Sequence, residues 1–225
     1  MGNIVAEICS AYTQLQDLLV ERELLIDSNR LVTVRSQAGT ILSWSGSANL
    51  SYLFGEYTTL EHYLETLHRR DFSFVFSDGA IAQIFYKIED DEISQHRLCY
   101  MPCPLSYEKE EWLGYSIDEI ISALDFENLK SSLRMSSPVR FDFDSKFCDD
   151  RHAHSHVTFN KDSCRVPAYG AVSIGHFARF ITRYFYEGAF DLRSDLEELR
   201  PMIYTRTLSH PITHELHFDT SAAYR

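Results

Sequence analysis

Glycine and proline are scarce in this chain, at nine and six of 225 residues, against averages of about 7% and 5%. That shortage excludes a collagen-like or low-complexity architecture, and no segment recurs at a fixed period that would signal a solenoid or propeller. No apolar run approaches the roughly 18–20 residues of a membrane-spanning helix. The first residues carry Glu7 among spaced apolar positions, which is not the pattern of a secretory leader. With five cysteines, an odd number, the expectation is reduced thiols and a cytoplasmic location. Cys99 and Cys103 stand close together, but Pro102 and Pro104 crowd them and no second pair follows, so a zinc ribbon is not supported. Met1-Gly2 is followed by Ala6 where a myristoylation signal needs Ser or Thr.

Positive charge is also in short supply. Lys and Arg total 21 against 33 Asp and Glu, a formal net charge of −12. From Arg165 onward the chain carries seven of each sign, so the whole excess lies in the first 164 residues. Such a body repels the nucleic-acid backbone at long range, which disfavours sequence-independent duplex binding but leaves room for a local pocket. What is plentiful is core material. Hydrophobic residues make up 44% and aromatics 13%, enough to exclude a disordered chain.

Spacing predicts the elements. Ile4, Ile8, Leu15, Leu18, Leu19 and Leu25 recur at helical intervals, so residues 1–26 read as an N-terminal helix ended by Asp27-Ser28-Asn29. "RLVTV" and "TILSW" read as strands about Ala38-Gly39, and "TTLEHYLETLHRR" as a helix capped by Thr58 or Thr59. Ser77-Asp78-Gly79 and Glu89-Asp90-Asp91 divide three β-rich runs into a meander. Residues 107–124 read as a helix through Trp112, Ile117, Ile120, Ile121 and Leu124. Ser173 caps an aromatic-rich helix with Ile174, Phe177, Ile181, Tyr184 and Phe185 on one side and His176, Arg179 and Arg183 on another. A further short helix is expected at 193–200, then an irregular tail from 202 to 225. Strands come in adjacent runs, so the fold class is α+β, a mostly antiparallel sheet flanked by the N-terminal helix and the aromatic-rich C-terminal helix. The whole is read as a single domain, 1–225, with its sheet-forming body at 30–160.

The segment "RFDFDSKFCDDRHAHSHVTFNKDSCRVP", 140–167, concentrates histidine and aspartate. Strand parity puts Val139, Phe141 and Phe143 on one face and Arg140, Asp142 and Asp144 on the other. The same parity aligns His152, His154, His156 and Thr158. A hairpin across 145–151 in one register sets Asp144 beside His152, Asp142 beside His154 and Arg140 beside His156, about 5 Å apart. Two chemistries fit such a face. One is a divalent transition metal held by His152, His154, His156 and Asp144, with Cys148 and Cys164 as candidate extra ligands. The other needs no cofactor: His152 and His156 act as acid and base, with Asp142 orienting one of them. Arg179 or Arg183 would then clamp an anion. An outward polar strand face without chemistry is the bland alternative.

Three spaced elements also carry a resemblance: His152-Ala153-His154-Ser155-His156, then Cys164-Arg165-Val166-Pro167, then "HFARFITRYFY" at 176–186. Over about 137–187 this resembles an uncharacterised bacterial domain-of-unknown-function family with the signature H-P-x-S-H, C-R-[IV]-P and F-x-x-F-I-x-R-x-F-Y. Ala153 departs from the family's proline. The resemblance points to His152, Ser155, His156, Cys164, Arg165, Pro167 and Arg183. It makes His154 variable, which favours the His152–His156 pair with Arg165 and Arg183 over a metal box, and it implies a setting near bacterial defence genes. The expected function is therefore a phosphodiester-cleaving effector, a nuclease or nucleotide hydrolase, acting on RNA, DNA or a nucleotide away from membranes. The rival is a non-catalytic interaction subunit that meets a protein partner from its own operon or oligomerises through the N-terminal helix.

Overall fold

Alternation of side chains between two faces organises nearly every strand of this protein. The computed structural model describes residues 4–45, 60–105, 133–134, 136–147, 153–160 and 163–186, with 115, 119, 199, 202, 204, 207 and 218 singly. In chain order the elements are α1 (Ile4–Glu21), β1 (Leu25–Ser28), β2 (Leu31–Ser36), β3 (Gly39–Trp44), α2 (Leu60–His68), β4 (Phe74–Phe76), β5 (Ile81–Glu89), β6 (Glu92–Met101), β7 (Val139–Asp144), β8 (Ser155–Phe159), β9 (Arg165–Pro167) and α3 (Ile174–Phe185). The nine strands form one antiparallel sheet in the order β1-β4-β5-β6-β7-β8-β9, and the β2–β3 hairpin joins it through β3 against β5. The α+β expectation is met. Apart from residues 115, 119 and 199, the expected helices at 107–124 and 193–200 lie outside the described residues, as do the Thr58 and Thr59 caps and most of the tail.

Local chemistry sets the turns. Asp90 and Asp91 both have positive φ, 52° and 61°, as a two-residue type I′ hairpin requires, and they join β5 to β6. Gly39 opens β3 at φ 111°, and a Cβ there would run into the Ile88 carbonyl of β5, so only glycine lets the two strands approach. α1 stops at Glu21, before the Asp27 expected to end it. Glu23 turns left-handed (φ 54°) and Leu24 N–H reaches back to the Leu19 carbonyl at 2.9 Å, a helix closure that normally favours glycine. The residues read as the last helical turn instead form β1, because Leu25 and Ser28 pair with Phe76 and Phe74.

One face of the sheet is the main core. Ala82, Ile84, Tyr86 and Ile88 of β5, Leu98 and Tyr100 of β6, and Val139, Phe141 and Phe143 of β7 pack with the α1 stripe Ile8, Tyr12, Leu15, Leu18 and Leu19, and with Ile174, Phe177 and Ile181 of α3. The Tyr12 ring stacks on Phe74 at 4.8 Å, and Phe177 meets Phe141 edge-on at 5.9 Å. The α3 stripe is rotated from its expected position: Ala178 and His176 are buried, whereas Tyr184 and Phe185 are exposed. On the other face α2 covers one end only, where Tyr63, Leu64 and Leu67 pack on Phe72, Val75, Ile81 and Met101. The tail is not wholly detached, since Phe218 bridges Ala168 beside β9 and its ring lies 6.1 Å from Phe159. Among the described residues no helix is long and apolar enough to cross a membrane.

His96 is locked into the core by its tautomer. Its Nε2 accepts the Val172 N–H at 2.7 Å, and its ring lies between Tyr86 and Phe143. Burial, opposed by the nearby Asp142 charge, lowers its pKa from 6.5 to about 4. The unfolded imidazole binds a proton between those values and the folded one does not, so stability rises with pH across that window. Full stability is present above pH 6.5 and is lost on acidification towards pH 4, by about 3 kcal/mol for this group at 1.36 kcal/mol per unit. His96→Gln keeps an acceptor for Val172 without the titration. Urea unfolding at pH 7 and at pH 4 should show the wild type losing about 3 kcal/mol more than the variant on acidification.

Candidate functional site

Parity carries the polar residues to the face opposite the main core, and register aligns them in two rows. Phe85 pairs with Arg97, Arg97 with Asp142, Asp142 with His156, and His156 with Pro167. One step along the strands, Cys99 pairs with Arg140, Arg140 with Thr158, and Thr158 with Arg165. Cross-strand neighbours sit about 5 Å apart, so the rows make one patch beyond the end covered by α2. There they border a cavity of about 280 Å³ whose wall includes Arg97, Arg140, Asp142, His156 and Arg165.

Asp142 is the centre of the patch. Arg97 Nε donates to its Oδ1 at 2.8 Å and Arg140 Nε to its Oδ2 at 2.5 Å. Thr158 Oγ1 approaches Oδ2 at 3.5 Å and His156 Nε2 lies 3.7 Å from the same oxygen. The Arg140 side chain is only 7% exposed and that of Arg97 35%. Burial acts to raise the Asp142 carboxyl, but the Arg140 and Arg97 guanidiniums outweigh it, and the group sits below the ordinary carboxylate range. His156 is also shifted downward, which for an imidazole favours the neutral form. Burial lowers its pKa below 6.5, Asp142 opposes that, and the Arg165 and Arg140 charges add to the lowering. The imidazole is therefore neutral at pH 7. With Nδ1 donating to the Ala153 carbonyl at 3.3 Å, Nε2 carries the lone pair on the side of the carboxylate.

The structure shifts the expected register by two residues. Asp142 faces His156 rather than His154, and Arg140 faces Thr158 rather than His156. Parity survives, because a slip of two preserves faces. The register is set on the core side, where Phe141 meets Val157 and Val139 meets Phe159. Ser155 is buried on that side and donates to the Gly170 carbonyl at 2.7 Å. His154 precedes β8, and its Nδ1 lies 3.0 Å from the Asp144 carbonyl. Asp144 takes an amide hydrogen bond from Gln95 at 2.6 Å. His152 and Cys148 lie outside the described residues. Cys164 is exposed. Among the described residues no group of three or more His, Cys, Asp or Glu is arranged to hold a metal ion.

Arg183 is not brought to the patch. It lies exposed on α3, with its guanidinium 5.8 Å from the Tyr184 ring centre, and α3 packs on the opposite face of the sheet. Arg179, on the same helix, is also absent from the cavity wall. Arg165 does reach it from β9. Sequence reasoning missed Arg97, the second guanidinium on Asp142. The parity of "QHRLC" aligns Gln95, Arg97 and Cys99, but only the β6–β7 pairing shows that they share a face with Asp142.

A family model described as an uncharacterized conserved protein (DUF2290) matches residues 24–220. The chain belongs to this family. The match contains every strand of the DUF2290 sheet and the whole patch, whereas α1 precedes it. No curated protein and no solved structure matches the chain.

Removing the carboxylate from this DUF2290 patch should be costly, because two guanidiniums, one of them buried, would lose their counter-charge. Asp142→Ala is expected to lower unfolding stability by about 3–5 kcal/mol, and Asp142→Asn by less. Chemical denaturation of both variants measures it; a loss under about 1 kcal/mol for Asp142→Ala would show that Asp142 does not hold the arginines.

Proposed function

We propose that the protein binds a phosphate-bearing ligand in the cavity beside Asp142 and cleaves a phosphodiester there, with His156 as the base. One observation carries this reading: Arg97, Arg140 and Arg165 gather with Asp142, Asp144 and the His156 imidazole on a cavity wall, in a chain of net charge −12. Guanidinium is the group best matched to phosphate oxygens. A concentration of it against the charge of the whole molecule favours an anionic guest.

The division of labour follows from the geometry. Arg97 and Arg140 are engaged with Asp142, which fixes their direction. Arg165 reaches the cavity wall from β9 and is the residue assigned to a phosphate oxygen. His156 Nε2 accepts a proton from the attacking hydroxyl or water, and Asp142 at 3.7 Å stabilises the imidazolium that results. The metal-free scheme needs a second proton-transfer group to protonate the leaving oxygen, and His152 is the sequence candidate for it. Arg183 has no part in this version. The rival, a purely structural polar network in an interaction subunit, gives His156 no role beyond stability.

The test is turnover on a panel of cyclic and linear nucleotides, short RNA and DNA, and an aryl phosphodiester, with and without EDTA. His156→Ala should reduce kcat by about 10²–10⁴-fold, while Arg165→Ala should raise KM. The base must be neutral to work and burial lowers its pKa from the ordinary histidine value, so kcat/KM should fall on acidification at a lower pH than an unperturbed histidine would give. Absence of cleavage across the panel, or full turnover by His156→Ala, would overturn the reading.

A further inference from the structure

The same cavity has an apolar end that phosphate alone does not account for. Phe85 stands directly across from Arg97 in the β5–β6 register, on the face shared with Asp142 and His156. Phe147, just past β7, lines the cavity too and is 52% exposed. Two aromatic rings thus line the cavity with the guanidinium cluster, Phe85 from β5 and Phe147 from beyond the end of β7, while His156 and Arg165 close the β8–β9 side. Three strand spacings separate β5 from β8, roughly 14 Å at 4.8 Å each.

Building on the phosphodiester reading above, we infer that the guest is a single nucleoside phosphate, its base against Phe85 and Phe147 and its phosphate towards Arg165 and His156. Three features converge on that class. A ring-lined end next to a guanidinium-lined end suits a ligand with one planar apolar part and one anionic part, since bases stack on aromatic side chains with little regard to sequence. The cavity, about 280 Å³, sits at the small limit of ligand pockets, roughly 300–1,000 Å³, which suits a guest the size of one nucleotide. Charge agrees: Arg97, Arg140 and Arg165 against Asp142 and Asp144 leave a formal surplus of one positive charge at the wall. That balances one phosphodiester, whereas a polyanion would meet the repulsion of the −12 body.

Titration calorimetry of the full chain with a 3′,5′-cyclic nucleoside monophosphate, whose phosphate is a singly charged diester, ribose 5-phosphate and inorganic phosphate separates the parts. The nucleotide should bind at least tenfold more tightly than ribose 5-phosphate, and Phe147→Ala should remove about that factor, the usual worth of one stacked base. Phe147 is exposed, so its removal should leave the melting temperature unchanged, and Phe85→Leu provides a second variant that keeps apolar bulk without a ring. Equal affinity for all three ligands, lost together in Arg165→Ala, overturns the stacking inference and leaves the anion site intact. Nucleotide binding that needs Phe147, with the cyclic phosphodiester left intact, supports the inference and overturns the catalytic reading. No binding of any of the three overturns both.

Discussion

The pairing of β7 with β6 and β8 is the constraint on which the site depends. A strand places successive side chains on opposite faces, so Val139, Phe141 and Phe143 enter the main core while Arg140, Asp142 and Asp144 leave it. Phe141 packs against Phe177 and Phe180 of α3, and it is this apolar contact that fixes where Asp142 can stand. The ion-pair cluster is thus held in register by hydrophobic burial on the reverse side of the same strand. A slip of one residue would bring Asp142 into the core and a phenylalanine into the cavity.

Electrostatics then turns a polar face into a specific environment. Asp142 between two guanidiniums has its own charge fully compensated, as partial burial demands, and the cluster of three groups carries one positive charge over. The imidazole beside it is kept neutral by burial and by the surrounding arginines. A neutral base next to a carboxylate and a cationic rim is the setting proton transfer from an anionic substrate requires. The acidic body outside the cavity reinforces the contrast, since it discourages extended polyanions.

Much of this was legible from patterning. The β5–β6 meander was readable from Glu89-Asp90-Asp91 because few sequences but a tight turn place such residues between two β-rich runs. Ser173 was readable as a cap because its hydroxyl serves the N–H of His176 locally. The end of α1 was not, because Glu23 in a left-handed conformation has no sequence signal and β1 exists only through its pairing with β4. Arg183 was misplaced for a related reason. Helical spacing shows which residues share a stripe, not which stripe meets which sheet face.

The sequence by itself determined the α+β class and the parity of 139–144 and 155–159, and it pointed to His156, Asp142 and Arg165, because period-two alternation and residue chemistry are local properties. Tertiary structure alone decided that Asp142 faces His156, that Arg97 joins it from β6, that Phe85 and Phe147 border the same cavity, and that α3 carries Arg183 away. Register between strands and the choice of face depend on how apolar side chains far apart in the chain pack together, and no local spacing encodes that.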